Sequence, residues 1–498
     1  MTTVDLVQRL VGHRIATAGG TTAYLDTDRR ISYAELHRAV RAYATRLDRA
    51  GIAGGPGLVV ADDAITTVVA VLALWWRGMV AVPVSSMLTA TEVAFIAGDC
   101  GARYLHLDAK AAASLPTDGP LAVPRGGPDW ADPDAAEPIE PPPAVVVAPS
   151  DVVLIQYTSG STGVPKGVLH TAAGIEAVLD GFGHLLDLRP EDRVLSTAKL
   201  SFGYGFGNSL LFPLAAGASA VLRQGPPDVY GVAASIARHR PTVLCAVPRV
   251  YAALLDRARA GEPPELGSLR LAVSAGEHLP APVCADFTRT FGVPVVNGLG
   301  ATEVLHIVVA TRGTEPGSTG TAVPGVTLTV RDDDGHVLPD GVDGRLHVAG
   351  PSVAAGYLDR PEAAARTFAD GGAYTGDIVR REQDGRIGYL CRRDDLLNLG
   401  GYKVSPFEIE AAVRDLPGVG QCAVVGTRDE HGLEQAVAYL VPSSDTDRDE
   451  LRRSAWKAFR TGLPPYKRPV AVRVVDELPV TSTGKLARFK LRAAEVTG

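Results

Sequence analysis

The first two-thirds of the chain alternate short apolar runs with amphipathic stretches. Apolar, largely β-branched runs predict buried strands, and apolar residues repeating every three or four positions predict helices. Their alternation favours an α/β fold with layered, largely parallel sheets. The clearest strands are predicted at residues 57–61, 79–84, 218–222, 242–247 and 271–274, and the clearest helices at 33–50, 229–238 and 250–258.

The pattern changes from about residue 327. Asp/Gly turns at 330–335 and 383–386, between short alternating strands, predict a small β-rich subdomain. A charged stretch that ends in Gly400 and Gly401 then interrupts the pattern. We expect a small C-terminal α/β module after this joint, with helices at 406–416 and 449–461 and strands at 419–425, 435–441 and 470–478.

Composition narrows the class of protein. A chain of 498 residues is too long for one hydrophobic core and predicts roughly two to four domains or subdomains. The net charge of −7, without a basic run, argues against a nucleic-acid partner. The five cysteines are scattered and show neither metal-ligand spacing nor a pairing pattern, which favours a reducing cytoplasm.

One segment is apolar enough to raise the question of a membrane. Residues 64–76 are shorter than the roughly 20 residues that span a bilayer, so they predict a buried helix. The first ten residues contain no signal-peptide pattern. We therefore expect a soluble, cytoplasmic protein with no membrane partner.

The most informative stretch is residues 157–167, directly after the apolar run 152–155. Glycines let the backbone approach a ligand, hydroxyls and N–H groups donate hydrogen bonds, and a lysine adds positive charge. This combination predicts a polyphosphate site, and the alternative is a Gly/Ser surface turn. It is not a Walker A loop, because no Gly-Lys is followed by Ser or Thr.

Four further motifs are each weak when taken alone. In residues 298–303, Thr302 suits a phosphate and Glu303 suits Mg²⁺, although a solvated glutamate is the alternative. Asp377 in Tyr-Thr-Gly-Asp suits ribose hydroxyls, although an aspartate after glycine is commonly a turn residue. Residues 392–395 read as a charged linker, and Lys485 after Ser-Thr-Gly reads as part of a solvated tail.

Together, in this order and spacing, the five motifs resemble the superfamily of adenylate-forming enzymes: acyl- and aryl-CoA ligases, peptide-synthetase adenylation domains and firefly-type luciferases. The resemblance covers essentially the whole chain. It implies a large N-terminal domain, residues 1–393, and a small C-terminal domain, residues 394–498, that rotates on a hinge. It also implies two half-reactions, in which a carboxylate and ATP give acyl-AMP and pyrophosphate, and a thiol then displaces AMP.

The resemblance also implies a role for individual residues. Lys485 would be the catalytic lysine of the first half-reaction, Thr302 would contact phosphate and Glu303 would hold Mg²⁺. Asp394 would be the hinge, and Gly400 and Gly401 would line the thiol channel. The nucleotide site would comprise Thr158, Ser159, Gly160, Ser161, Thr162, Gly163, Lys166, Gly276, Glu277, Asn297, Gly298, Leu299, Asp377 and Arg392.

Two segments, residues 199–208 and 300–306, are similar to the acid pocket of benzoate-CoA ligases. Gly203 stands where amino-acid-activating domains place an aspartate for the substrate ammonium. A buried ammonium without a carboxylate partner is disfavoured, so an α-amino acid is not expected as the substrate. The glycines at 203, 205 and 207 suggest a short, flat pocket for a ring. His306 is either a substrate contact or a packing residue. The predicted pocket comprises Phe202, Gly203, Tyr204, Ala246, Ala275, Gly300 and His306.

The predicted reaction is therefore activation of a benzoate-like acid by ATP and Mg²⁺, followed by transfer to a thiol. Free CoA is the preferred acceptor, with a carrier-protein phosphopantetheine as the alternative. An inactive nucleotide-binding regulator is a weaker alternative, and a monomer or homodimer is expected. Two positions depart from the family pattern: Asn398 replaces a common lysine, and Leu299 replaces the tyrosine that many relatives stack on adenine.

Overall fold

The computed structural model describes residues 3–27, 29–131, 142–159, 165–225, 228–311, 319–399, 402–429, 433–443, 446–480 and 486–496. These residues confirm the predicted α/β class. The chain divides into two compact units, the first comprising Met1–Thr329, His347–Thr375 and Gly385–Ile387, and the second Val330–Leu346, Gly376–Asp384 and Gly388–Gly498. The expected boundary at residues 393/394 stays a prediction.

Twenty-five strands are assigned within the described part of the chain. They are β1 (Thr22–Leu25), β2 (Arg30–Ser32), β3 (Pro56–Val60), β4 (Val80–Val84), β5 (Tyr104–Leu107), β6 (Arg125–Gly126), β7 (Val152–Ser159), β8 (Pro165–Thr171), β9 (Arg193–Ser196), β10 (Ser219–Val221), β11 (Val243–Ala246), β12 (Leu271–Ser274), β13 (Val295–Gly300), β14 (Ile307–Ala310), β15 (Thr321–Ala322), β16 (Thr327–Arg331), β17 (Asp343–Ala349), β18 (Gly356–Tyr357), β19 (Ala373–Arg381), β20 (Ile387–Arg392), β21 (Leu397–Leu399), β22 (Tyr402–Val404), β23 (Val419–Arg428), β24 (Glu434–Pro442) and β25 (Ala471–Val474).

The α-helices of the same residues are α1 (Leu6–Leu10), α2 (Ile15–Ala18), α3 (Tyr33–Arg49), α4 (Ile65–Trp76), α5 (Ala90–Cys100), α6 (Ala109–Ser114), α7 (Ala172–Val178), α8 (His184–Leu186), α9 (Gly203–Phe206), α10 (Phe212–Ala216), α11 (Val229–His239), α12 (Pro248–Arg259), α13 (Ala281–Phe291), α14 (Pro361–Thr367), α15 (Pro406–Ala411), α16 (Arg448–Gly462) and α17 (Arg488–Val496). Short π-helical turns at Leu179–Gly183 and Gly207–Leu211 follow α7 and α9.

Two large sheets form the first unit. One has the order β18-β8-β7-β4-β3-β5-β6, and the other has the order β15-β14-β13-β12-β11-β9-β10-β1-β2. Strands β3 to β7 pair in parallel in the first sheet, and strands β1 and β9 to β13 pair in parallel in the second. Antiparallel strands occur at the edges, which are β8 and β18 in one sheet and β2, β14 and β15 in the other.

The predicted buried helix is α4, which is apolar on all sides. Ten of its twelve residues are buried. A helix of this composition belongs in the middle of a layered core, where every face meets another apolar surface. No helix among the described residues is long and apolar enough to cross a membrane.

Local sequence explains where the amphipathic helices begin. The side chain of Ser32 accepts from Glu35 N, and the Glu35 carboxylate accepts from Ser32 N, so α3 starts with a capping box. Thr89 and Glu92 repeat this arrangement at α5, which ends at Gly101 with a left-handed φ of 61°.

The C-terminal part of the second unit is built on the sheet β23-β24-β25, with α15, α16 and α17 packed on it. The predicted strands and helices are all present, although α15 ends at Ala411 and β25 at Val474, five and four residues earlier than expected. A buried ion pair joins Arg488 of α17 to Glu410 of α15 at 2.7 Å. The predicted β-rich part is the sheet β16-β17-β19-β20.

Candidate active site

The glycine- and hydroxyl-rich loop connects the two antiparallel strands β7 and β8. Thr158 lies directly opposite Lys166 in the strand register, so the two ends of the loop are side by side. A P-loop instead connects a strand to a helix, and this difference agrees with the missing Walker A pattern. The predicted phosphate residues Gly160, Ser161, Thr162 and Gly163 lie outside the described residues, as does the Ser159 side chain.

Lys166 and Glu303, two predicted ATP-site residues, approach the same tyrosine. The Lys166 ammonium lies 5.3 Å from the centroid of the Tyr357 ring. The Tyr357 hydroxyl donates a hydrogen bond of 2.7 Å to Glu303 Oε1. The structure therefore brings the predicted phosphate lysine and the predicted magnesium glutamate together, through a residue that sequence reasoning missed. A Gly-Tyr pair in a loop carries no signal of its own.

Most of the remaining predicted nucleotide and pocket residues lie at one edge of a sheet. Ala246, Ser274 and Asn297 are aligned in register, at the carboxyl ends of β11 and β12 and at the end of the parallel-paired part of β13. Ligands of α/β proteins bind at this edge, outside the carboxyl ends of parallel strands. The predicted residues that follow are Ala275, Gly276 and Glu277, directly after β12, and Gly298, Leu299 and Gly300, at the end of β13.

A strained turn follows the Thr-Glu motif. Thr302–Val304 forms a single 3₁₀ turn, and Leu305 then has φ 67° and ψ −48°. His306 N donates to Val304 O at 2.8 Å, which makes residues 304–306 a γ-turn with positive φ, a rare and strained form. Strain of this kind clusters at functional sites because the surrounding structure must hold it in place. It reverses the chain into β14 and sets the position of His306.

The pocket glycines pack tightly against this turn. A Cβ atom at Gly203 would lie 2.3 Å from Leu305 O, and one at Gly300 would lie 2.2 Å from His306 O. A Cβ at Gly207 would lie 2.4 Å from His306 Cδ2. At Gly205 the clash would be with Lys199 O, at 2.0 Å. The position that a Cβ would occupy at each glycine is therefore filled by protein atoms, so the glycines permit close packing at these points, and the short, flat pocket stays a prediction.

His306 is enclosed by aromatic rings. Its ring stacks on Phe182 at 5.2 Å between centroids and meets the edge of Phe212 at 4.7 Å. Its Nε2 atom lies 3.3 Å from Tyr204 O, which can only accept, so Nε2 carries the proton. Burial lowers the pKa of His306 to about 3, so the imidazole is neutral at physiological pH. The ring contacts agree with a packing residue, but Nδ1 is buried without a hydrogen-bond partner among the described residues, so both the packing role and the substrate contact stay predictions.

Tyr204 and Phe202 stand at the start of α9. Both side chains are half-buried. The Tyr204 hydroxyl donates to Val273 O of β12 at 2.8 Å, which ties this turn to the sheet edge described above. The hydroxyl oxygen retains its capacity to accept a hydrogen bond.

The predicted ribose residues belong to the second unit and form an ion pair. The buried Asp377 carboxylate accepts from Arg392 Nη1 at 2.9 Å. Gly376 has φ 78°, and a Cβ there would lie 2.7 Å from Arg392 Nη2, so both its conformation and the close approach favour glycine. The structure brings Asp377 and Arg392 together as predicted residues of one site.

The residues after Arg392 are not a free linker. Arg393 pairs with Asp333 at 3.1 Å, and Asp395 pairs with Arg492 at 3.0 Å. The predicted hinge residue Asp394 lies in the 3₁₀ turn between them. Lys485, Gly400 and Gly401 lie outside the described residues, so their predicted roles stay predictions.

Comparison with known proteins identifies the family. The AMP-binding enzyme family matches residues 12–358, and the AMP-binding enzyme C-terminal domain matches residues 408–485. The chain belongs to the AMP-binding enzymes. The predicted resemblance to adenylate-forming enzymes is therefore confirmed.

Two curated relatives and one solved structure match this AMP-binding enzyme along almost its whole length. It is 34% identical to 4-hydroxybenzoate–CoA/benzoate–CoA ligase of Rhodopseudomonas palustris over 99% of this chain and 94% of the relative. It is 36% identical to benzoate–CoA ligase of Thauera aromatica, over 98% and 95%. The crystal structure of the anthranilate CoA ligase AuaEII with anthranoyl-AMP superposes with a TM-score of 0.90 at 30% identity, covering 99% and 97%.

A buried carboxyl that the sequence did not indicate binds the backbone of the predicted pocket segment, residues 199–208. Asp63 is 3% exposed, and its Oδ1 accepts from Leu200 N at 3.0 Å. The adjacent Asp62 pairs with Lys199 at 2.7 Å. Burial raises the pKa of Asp63 to about 7, although the Lys199 ammonium opposes the shift. Two neighbouring aspartates are an ordinary loop pattern, so only burial distinguishes them.

We expect Asp63→Asn to be more stable than the wild type at pH 8. Because the folded-state pKa of about 7 lies above the ordinary value of 3.8, ionisation of Asp63 opposes folding. The stabilisation from its protonated form is complete below pH 4 and is lost as the pH rises through 7. Asparagine keeps an oxygen acceptor for Leu200 N and carries no charge, so the gain at pH 8 should be about 1–3 kcal/mol.

Denaturant unfolding at pH 4.5, 6 and 8 measures this effect. The advantage of Asp63→Asn should grow with pH. Asp62→Asn is the matched control, since it removes the ion pair with Lys199 and should lower stability at pH 8. An advantage of Asp63→Asn that stays constant with pH would show that Asp63 is ionised in the fold at all these values.

Proposed function

We propose that this enzyme is an aryl acid–CoA ligase that activates a benzoate-like carboxylic acid with ATP and transfers the acyl group to CoA. The observation that supports this most strongly is the match with benzoate-type CoA ligases across both family domains and almost the full length of each chain. The convergence of Lys166 and Glu303 on Tyr357, beside the carboxyl edge of β11–β13, fits a nucleotide with a polyphosphate chain.

In the first half-reaction the acid's carboxylate oxygen attacks the α-phosphate of ATP. The new O–P bond forms as the bond to the pyrophosphate oxygen breaks, so the products are acyl-AMP and pyrophosphate. We assign the 158–166 loop to the leaving pyrophosphate and Glu303 to Mg²⁺, which neutralises phosphate charge when bound. Lys485 is assigned to the two anions that meet at the α-phosphate, where a positive group stabilises developing charge.

In the second half-reaction the CoA sulfur attacks the acyl carbon of acyl-AMP. The C–S bond forms, the C–O bond to phosphate breaks, AMP leaves with both electrons of that bond, and the thiol proton passes to solvent. The assigned thiol channel at Gly400 and Gly401 and the hinge at Asp394 would let the C-terminal domain remove Lys485 and admit the thiol. Lid motions of this kind complete a site in one position and open it in another.

The alternatives are less well supported. A carrier protein as acceptor is not favoured, because relatives that match over nearly their whole length are CoA ligases. An inactive regulator is opposed by the presence of Lys166, Glu303 and Lys485 together. The cytoplasmic location and the monomeric or homodimeric state stay predictions.

Pyrophosphate release and thioester formation, measured over one panel of acids, test the proposal. The panel should include benzoate, its hydroxy and amino derivatives, cinnamate, hexanoate and phenylalanine, each with and without CoA. We expect pyrophosphate with at least one benzoate, thioester only when CoA is present, and no reaction with phenylalanine. Absence of pyrophosphate with every aromatic acid would refute the proposal. Release of pyrophosphate without formation of a CoA thioester would instead indicate that a carrier protein, not CoA, accepts the acyl group.

A further inference from the structure

Residues 354–360, the connecting segment, touch both strand β8 and the Thr-Glu turn. Ala354 N donates to Glu303 O at 2.9 Å, and Leu358 N donates to Gly167 O at 2.8 Å. Between these two bonds, Gly356 and Tyr357 form β18 on the edge of β8. One short segment therefore joins the backbone beside Lys166 to the backbone of Glu303.

The Tyr357 side chain makes a second connection between the same two motifs. It is 9% exposed, and it packs on Val168, Ala354 and the edge of the Phe368 ring. Its face receives the Lys166 ammonium, and its hydroxyl donates to Glu303 Oε1. A cation over an aromatic face is attracted to it, and this attraction increases where water is excluded.

The phenol also separates two opposite charges. Within the described residues, the Lys166 ammonium and the Glu303 carboxylate contact the neutral Tyr357 side chain and form no salt bridge. A direct pair between them would neutralise both groups and would turn them away from phosphate and metal. Tyr357 instead engages each group with a neutral contact, which leaves both charges available. A hydrogen bond to one carboxylate oxygen fixes its orientation and leaves the other oxygen for a ligand.

We propose that Tyr357 is a positioning residue of the ATP site, whose hydroxyl orients the Glu303 carboxylate for the metal and whose ring holds the Lys166 ammonium for the phosphates. This inference rests on the proposed function for the identity of its ligand, Mg²⁺–ATP. It explains why the sheet edge at β18 carries a buried tyrosine with a polar tip instead of an aliphatic residue of similar volume.

The test is the binding of Mn²⁺ in the presence of ATP, measured as free Mn²⁺ by electron paramagnetic resonance with no acid or CoA added. Tyr357→Phe removes only the hydroxyl and should weaken Mn²⁺ affinity about tenfold, the usual effect of removing a group that orients a metal ligand. Tyr357→Leu also removes the ring and should weaken ATP binding further, even at saturating Mn²⁺.

Tyr439→Phe is the matched control. Tyr439 is buried in the second unit, and its hydroxyl donates to the Glu495 carboxylate, so the control loses an equivalent bond that does not involve Glu303 or any predicted ATP-site residue. It should bind Mn²⁺–ATP as the wild type does, and thermal unfolding of the variants should be compared with it. Tyr357→Phe within twofold of this control would overturn the inference, because the phenol would then be only a packing residue.

A double-mutant cycle gives an independent check. If Tyr357 acts through Glu303, Tyr357→Phe should have no further effect on Mn²⁺ affinity in a Glu303→Gln background. Additive losses would contradict the proposed pathway. Because these measurements need neither the acid nor CoA, the inference can fail while the acid panel supports the proposed function, and the reverse is also true.

Discussion

Replacing Lys485 with alanine is expected to lower the rate of acyl-AMP formation about a hundredfold or more, the usual effect of removing one group that stabilises transition-state charge. Thiolation of supplied acyl-AMP should remain close to the wild-type rate, because that step breaks a bond to AMP and brings no second anion to the α-phosphate. Acid-dependent exchange of pyrophosphate into ATP measures the first step. Single-turnover thioester formation from synthetic benzoyl-AMP and CoA measures the second.

Lys490→Ala provides the matched control for this experiment. Lys490 is an exposed lysine on α17, close in sequence to Lys485, so it reports the general effect of losing one positive charge in the C-terminal segment. Both half-reactions should be unaffected in this variant. Equal loss of both half-reactions in Lys485→Ala would contradict the assignment of this lysine to adenylation alone, and with it the two-position model of the C-terminal domain.

Gly203→Ala is expected to lower kcat/KM for the best aromatic acid about a hundredfold. The added Cβ would lie 2.3 Å from Leu305 O and 3.0 Å from Gln156 Oε1, so the backbone of the 304–306 turn must move. That turn directly follows Glu303 and includes His306, so its movement would displace both residues. Misplacing reacting groups by about 1 Å can cost a hundredfold in rate. Overpacking should also lower the free energy of unfolding by about 1–3 kcal/mol.

Gly267→Ala is the control for glycine replacement. Gly267 lies in an exposed turn, and a Cβ there would meet no atom within 4 Å. Steady-state kinetics and denaturant unfolding should show no loss in this variant. Wild-type activity of Gly203→Ala would mean that the 304–306 turn yields easily and does not set the pocket geometry.

The loop with Lys166 and the pair of Asp377 and Arg392 show which features of the candidate site the sequence could predict. Each of them belongs to a short motif whose residue types indicate a ligand: hydroxyls, glycines and Lys166 indicate phosphate, and Asp377 with Arg392 indicates ribose. The structure adds that Thr158 lies opposite Lys166 and that Asp377 pairs with Arg392. Such motifs can be recognised in the sequence because the residues that define each one are close together in the chain.

The residues that sequence reasoning missed or misread depend on distant partners. Tyr357 is 54 residues from Glu303, and Asp63 is 137 residues from Leu200. The glycines at 203 and 207 predict a flat pocket from the sequence, and the structure adds that the backbone of residue 305 and the ring of residue 306 approach them closely. A small residue beside a cavity and a small residue beside another backbone have the same sequence pattern.

The sequence by itself determined the α/β class, through local periodicity, and the adenylate-forming family, through five short motifs that resemble it, because both depend on residue types at short spacing. Only the tertiary structure decided that Tyr357 contacts both Lys166 and Glu303, that Leu305 forms a strained turn against Gly203, and that Asp63 is buried. These features arise where separate strands and turns meet, so their contacts and burial exist only after the sheets have packed.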